Sequence, residues 1–142
     1  MYTGLLHAHS ALAYLLLAVL IFAIIYNLIG YMSNRPFSEG NRKMALIGLI
    51  AAHIQLLIGL VLYFVSPNGL QNFSGANMKD SMARLLMLEH PLINIIAIVL
   101  ITIGYSKAKK LTDSNQRYKK MLIFFTLGLV LILSRIPWSN WL

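Results

Sequence analysis

Four long apolar stretches constrain the fold of this chain more than any other feature. They cover about residues 5–31, 44–65, 85–105 and 121–138 of the 142-residue sequence. A hydrocarbon core about 30 Å thick is crossed by about 20 helical residues, so each stretch can span a bilayer once. The sequence therefore predicts an all-α fold, an integral membrane antiparallel four-helix bundle with up-down-up-down topology. Residues 1–142 should form it as a single domain.

The composition agrees with a membrane protein. Hydrophobic residues make up 58% of the chain and charged residues only 11%, and the mean hydropathy is +0.71. Globular domains carry roughly 25% charged residues, so this chain has less than half the usual share. The lipid bilayer is therefore the first expected partner.

The basic residues are unevenly distributed between the loops. Three lie in residues 33–43 and six in residues 106–120, which together hold nine of the twelve Lys and Arg residues. In a four-span chain these two loops share one side, and basic loops stay on the cytoplasmic side. We expect a multi-pass protein of the bacterial inner (cytoplasmic) membrane with both termini on the outer, periplasmic side. Despite a net charge of +8, the loops should meet anionic lipid headgroups rather than nucleic acid.

The chain contains no cysteine. This excludes a disulfide framework, thiolate metal ligands, an iron–sulfur cluster and the covalent attachment of c-type haem. Any metal must be held by His, carboxylate, Met or Tyr side chains, and any haem must be bound without covalent links.

Three histidines within the spans are candidate ligands, His9, His53 and His90. Ionisable groups in lipid usually face the interior of a bundle and mark functional sites. A helical rise of about 1.5 Å per residue places His9, His90 and Arg135 about 27, 21 and 22 Å from the inner surface, and His53 at about 15 Å. The first three therefore share an outer level, and His53 lies deeper.

Helical geometry favours His9 and His90 as a pair. His7 and His9 are about 200° apart around a helix and cannot both face the core, and His9 has the apolar continuation. The first and third helices are diagonal in this topology, so His9 and His90 can approach one haem from opposite sides. Haem iron takes axial imidazoles. Arg135 and Arg84 are available at the same end for the carboxylate groups of the haem.

Several alternatives remain open at this stage. His53 is a substitute ligand, or it serves a quinone or a proton. The three histidines also suit a transition-metal site or transporter, for example for Zn or Cu. Glu89 is either a proton relay or the partner of Arg84 or Lys79, and the pairing is slightly favoured. A purely structural or sensory protein and a homo-oligomer are further options.

Four segments carry a resemblance to a known family: GLLHAHSALAYLLL, AAHIQLLIGLVLYFVSP, MLEHPLINIIAIVLITIGYSKAKK and the closing SRIPW. The chain resembles small four-span membrane proteins of Bacteroidetes-type bacteria labelled cytochrome b-like. The resemblance covers nearly the whole chain and implies haem binding by His9, His53 and His90, without deciding which two are axial ligands.

More distantly, the chain is similar to the bacterial four-span protoporphyrinogen oxidase, whose last span carries N-E-x-P where this chain reads SRIP. That similarity implies a haem enzyme as an alternative function. The residues and the resemblance together predict a membrane protein with one non-covalent haem b. Its predicted role is electron transfer between the quinone pool and an unidentified redox partner.

Overall fold

The structure, a computed structural model, describes residues 2–141 apart from the side chain of residue 140. These residues form an all-helical fold without strands, as the sequence predicts. Two short 3₁₀ turns connect the second and third long helices. The helices are α1 (Tyr2–Met32), α2 (Glu39–Val65), α3 (Ser81–Lys110), α4 (Ser114–Ser134) and the short α5 (Trp138–Trp141).

Three of the four long helices, α1, α2 and α3, are long and apolar enough to cross a membrane. The fourth differs from its predicted stretch of 121–138. It begins earlier, with a basic first part, and it ends at Ser134. The helical end predicted near Trp138 is wrong, because the residue before Pro137 is disfavoured in the α conformation and the proline supplies no backbone N–H.

Side-chain caps fix where the helices begin. An oxygen that accepts a hydrogen bond from the third helical N–H satisfies one of the donors left free at a helix start. A side-chain cap of this kind is present at the N-termini of α2, α3 and α4. Ser38 accepts from the N–H of Asn41, Asp80 from that of Ala83, and Asp113 from that of Gln116.

Helices α1 and α2 pack along their length with opposite chain directions. Near the end of α1, Asn41 Nδ2 donates to Asn27 Oδ1 at 3.3 Å. Near the start of α1, Gln55 Nε2 donates to the His9 carbonyl at 2.7 Å. Similar series of contacts join α2 to α3, α3 to α4 and α4 to α1. Each long helix thus packs chiefly against two others.

Glycines allow α3 and α4 to approach closely. A Cβ at Gly104 would overlap Phe124, and a Cβ at Gly128 would lie 2.5 Å from Ile101 Cγ1. Ile101 is fully buried. Small residues at helix contacts let backbones come together where burial from water is not available to drive association.

Large apolar side chains cover the outside of all four long helices. Examples are Phe22 at 56% exposure, Leu57 at 64%, Val99 at 50% and Val130 at 56%. Soluble monomers rarely expose contiguous apolar patches larger than a few hundred Å². Apolar side chains therefore cover the outside of the helices as well as filling the interior.

Candidate functional site

A cavity of about 420 Å³ lies where α1 begins, α2 ends, α3 begins and α4 ends. Small-molecule sites typically measure about 300–1,000 Å³, so the volume is that of a ligand site. Its wall is mainly apolar, with leucine and isoleucine as the commonest residues and several polar groups among them. The polar side chains of the wall include His9, Ser10, Gln55, Asn94 and His90.

His9 and His90 meet in this cavity, as the sequence predicts. Their ring centres are 6.2 Å apart and their planes are nearly perpendicular, at 88°. The two residues come from α1 and α3. The cavity thus brings together the preferred pair of candidate ligands.

The hydrogen bonds of His90 assign its tautomer. Nδ1 lies 2.8 Å from the carbonyl oxygen of Arg135. A carbonyl only accepts, so in the neutral ring Nδ1 carries the proton and donates it. The Asn94 amide, whose nitrogen is also 3.2 Å from Nδ1, donates instead to the His90 carbonyl at 2.6 Å. The Nε2 lone pair of His90 therefore stays available to a ligand, and Nδ1–H bonded to a carbonyl is usual for metal-binding histidines.

Among the described residues, two buried side-chain nitrogen or oxygen atoms have no hydrogen-bond partner, and one of them belongs to His9. These atoms are His9 Nδ1 and Gln55 Oε1, and both residues line the cavity. The ring of His9 packs on Gly59, where an added Cβ would lie 3.1 Å from Cε1. Buried polar atoms without a partner are rare in proteins, and an absent ion or ligand is one explanation.

A π-helical segment, Leu85–Glu89, leads directly into His90. Pro91 has no N–H, so the Met87 carbonyl cannot make the usual helical hydrogen bond. Tyr63 of α2 donates its hydroxyl to that carbonyl at 2.8 Å. The Met87 carbonyl is thus bonded to Tyr63 and not to a histidine ring. Single π turns inside α-helices occur frequently at functional sites.

Arg84 and Arg135 lie beside the cavity but are not part of its wall. Arg84 Nε is 2.9 Å from Glu89 Oε2, which confirms the pairing favoured for this carboxylate. Arg135 Nε is 3.8 Å from the other oxygen of Glu89. The carbonyl of Arg135 bonds to His90, so this residue shares the level of the histidine pair, as predicted. Binding of a cofactor by either guanidinium remains a prediction.

His53 is not in the cavity. Its side chain is exposed, so the expected inward orientation is wrong. Gln55, two residues further along α2, faces inward, and residues two apart lie about 200° apart around a helix. His53 Nε2 instead lies 3.0 Å from Thr102 Oγ1 of α3.

The tautomer of His53 also follows from its neighbour. Thr102 Oγ1 donates its proton to the Ile98 carbonyl at 2.7 Å. The hydroxyl therefore accepts from His53, and in the neutral ring Nε2 carries the proton. Nδ1 is left as an acceptor without a hydrogen-bond partner among residues 2–141. The outer surface of α2 and α3 thus presents one hydrogen-bond acceptor within an apolar region.

Two residues of the site were not predicted from the sequence as site residues, Gly59 and Tyr63. They follow Gln55 at intervals of four and so share its helical face. The series Gln55, Gly59, Tyr63 could have predicted this part of the cavity wall. It places an amide, a glycine and a phenol hydroxyl on one face of a span, and such a face offers both space and hydrogen-bonding groups.

No cluster of three or more His, Cys, Asp or Glu side chains suited to a metal ion occurs within residues 2–141. Comparisons with protein-family models, curated proteins and solved structures found no match to this chain.

Proposed function

We propose that the four long helices form an up-down-up-down bundle in a bacterial inner membrane. The length and apolar character of α1, α2 and α3 support insertion. The exposed Phe22, Leu57, Val99 and Val130 also support it, since lipid rather than water suits these side chains. The basic residues of the loops at 33–43 and 106–120 support an orientation with both termini outside.

The short apolar part of α4 fits this arrangement. From Met121 to Ser134 it has 14 residues, which rise only about 21 Å. The lysines before it can extend toward the headgroups along their apolar stems. On the other side, Trp138 and Trp141 occupy the level at which indole rings favour the membrane interface.

We propose that the cavity binds one b-type haem, with His9 and His90 as axial ligands. The observation that carries this proposal is the meeting of two imidazoles in an apolar cavity, one with a buried Nδ1 lacking a partner and the other with a free Nε2. The two ring centres lie 6.2 Å apart, so both imidazoles are close enough to hold one bound group.

The number of ligands favours haem over zinc. Zinc sites use three or four protein ligands, whereas two imidazoles suffice for haem iron because the porphyrin supplies the other four nitrogens. The apolar wall also suits a porphyrin better than a hydrated ion. Haem iron, when bound, carries one electron by changing between its ferric and ferrous states.

The arginines beside the cavity support an orientation for the haem carboxylates. Arg84 and Arg135 are 38% and 46% exposed in their side chains, and both lie near Glu89. Exposed ion pairs contribute only about 0–1 kcal/mol, so a carboxylate ligand can compete with Glu89 for them. We propose that these guanidinium groups bind the haem carboxylates.

Electron exchange with the quinone pool is the function that this site supports best. His53 contributes a second observation, because its Nδ1 is an acceptor on the lipid-facing side of α2. A quinol hydroxyl can donate to such an acceptor. Gly59, which contacts His9, lies six residues along the same helix, a rise of about 9 Å. We propose that quinol binds beside His53 and that the haem lies within the bundle behind it.

Alanine variants of the histidines test the ligand assignment. The measurement is haem per protein after expression in haem-replete cells and purification in detergent. We expect His9→Ala and His90→Ala each to lose most of the haem, because each removes an axial ligand. His7→Ala is the matched control, since His7 is exposed on the same helix turn and should retain haem. Equal haem content in all three variants would contradict the assignment.

The quinone proposal has a separate test. We expect His53→Ala to keep a full complement of haem but to slow reduction of the haem by a soluble quinol analogue. Reduction by dithionite should be unchanged. If His53→Ala is reduced by quinol at the wild-type rate, quinol does not bind at His53.

A further inference from the structure

A second cavity, of about 430 Å³, lies at the opposite end of the molecule. It is formed by the first loop, the start of α2, the end of α3 and the start of α4. Its wall is polar and basic, unlike that of the haem cavity. The charged and hydroxyl-bearing side chains of the wall belong to Glu39, Arg42, Tyr105, Lys109 and Arg117.

One of the three cations is already neutralised. Arg42 makes an ion pair with Glu39 at 2.9 Å. Its Nη1 also donates to the Tyr105 hydroxyl at 2.9 Å, and Tyr105 is buried. These contacts hold Arg42 in place. They also pair it with Glu39, the only carboxylate in the wall of this cavity. The positive charge of Lys109 and Arg117 remains.

Arg117 is held in position with part of its guanidinium free. Its Nε donates to the Leu111 carbonyl. The guanidinium carbon lies 5.5 Å from the centre of the Phe37 ring, within the range of a cation–π contact. Neither contact uses the two terminal NH₂ groups. Lys109 makes no hydrogen bond or ion pair with the described residues. Neither Lys109 nor Arg117 makes an ion pair within residues 2–141, and the one carboxylate of the wall, Glu39, is bonded to Arg42, so the cavity keeps a net positive charge.

We propose that this cavity binds the phosphate of an anionic phospholipid headgroup. Guanidinium groups bind phosphate through paired hydrogen bonds, and basic pockets between helices on the cytoplasmic side are suited to acidic headgroups. A lipid is favoured over a free anion because an exposed apolar side chain continues from the cavity along α2. Ile50 lies about three helical turns from Glu39 on the same face, is 50% exposed and can contact an acyl chain. The inference depends on the proposed membrane placement but not on haem.

The test is the binding of phosphatidylglycerol to the full-length protein, measured by native mass spectrometry from mixed micelles, with phosphatidylcholine as the neutral comparison. We expect the wild type to retain one phosphatidylglycerol in preference to phosphatidylcholine. Lys109→Gln should weaken that binding about fivefold, the effect of one basic residue near an acidic headgroup. Lys109 is exposed, so the variant should fold.

Lys119→Gln is the matched control. Lys119 is exposed on the neighbouring helix and is not part of the cavity wall. An equal loss in both variants would mean that the overall charge, not the cavity, attracts lipid, and would overturn the proposal.

Competition with inorganic phosphate shows whether the cavity binds a lipid headgroup or free phosphate. If inorganic phosphate displaces phosphatidylglycerol at equal concentration, the site is one for free phosphate and the lipid assignment is wrong. The haem content of the Lys109→Gln protein, which should be unchanged, separates this inference from the haem proposal.

Discussion

Substitution of Gly128 by alanine tests the packing of α3 against α4. The added Cβ would lie 2.5 Å from Ile101 Cγ1, 2.8 Å from its Cδ1 and 3.1 Å from the Ala97 carbonyl oxygen. Carbon atoms in contact are normally about 3.5–4.0 Å apart, so one side must move by about 1 Å. Ile101 is fully buried and cannot swing into solvent. We therefore expect the two helices to separate.

Two opposing effects set the size of the change. Overpacking a filled interior costs about 1–3 kcal/mol, and the backbone oxygen beside Ile101 places this site near the upper end. Alanine in place of glycine within a helix gains up to about 1 kcal/mol. The net prediction is a loss of about 1–2 kcal/mol in the free energy of unfolding, since the steric cost exceeds the gain in helix propensity.

The free energy of unfolding can be measured by SDS titration in detergent, followed by circular dichroism. Gly4→Ala is the control, because no atom outside its own stretch of helix lies within 4 Å of an added Cβ there. In an Ile101→Ala background most of the penalty of Gly128→Ala should disappear, since the atoms that clash are gone. A loss no larger than that of Gly4→Ala, or the same loss in both backgrounds, would refute this packing.

Three other variants test the site and the fold. Tyr63→Phe leaves the Met87 carbonyl without a donor and should lower the free energy of unfolding by about 1–3 kcal/mol, measured by the same titration; an unchanged value would mean that this hydrogen bond contributes nothing. Gly59→Leu places a side chain where His9 packs and should reduce haem per protein while helicity is retained; full haem content would contradict the described wall. Asn41→Ala removes the buried hydrogen bond to Asn27 and the side-chain acceptor of the Ser38 N–H at the start of α2, and should cost about 1–3 kcal/mol; an unchanged titration midpoint would contradict this.

The helices and the histidine pair were predictable because they depend on local periodicity. Long apolar stretches define helices, and the rise per residue was enough to place His9 and His90 at one level. The separation of His7 and His9 around the helix correctly identified which of them faces inward. The same rule applied to His53 and Gln55 would have shown that only one of them can face inward, but not which one.

Other features depend on contacts between distant segments. Pro91 indicates a free carbonyl at Met87, but only the folded chain shows that Tyr63 occupies it. The end of α4 at Ser134 reflects Pro137, a local signal that hydropathy alone does not use. The cavity at Arg117 could not be predicted because basic loops are usually solvated, and its wall is assembled from three separate stretches of the chain.

The central claim is that His9 and His90 hold one haem between them. Its most direct test is the absorption spectrum of the detergent-purified wild-type protein, oxidised and then reduced with dithionite. We predict a Soret band and the sharp reduced α and β bands of a six-coordinate b-type haem, at one haem per chain. Protein from haem-replete cells without a Soret band would contradict the claim, and a stoichiometric transition metal in that preparation would assign the two imidazoles to a metal ion instead.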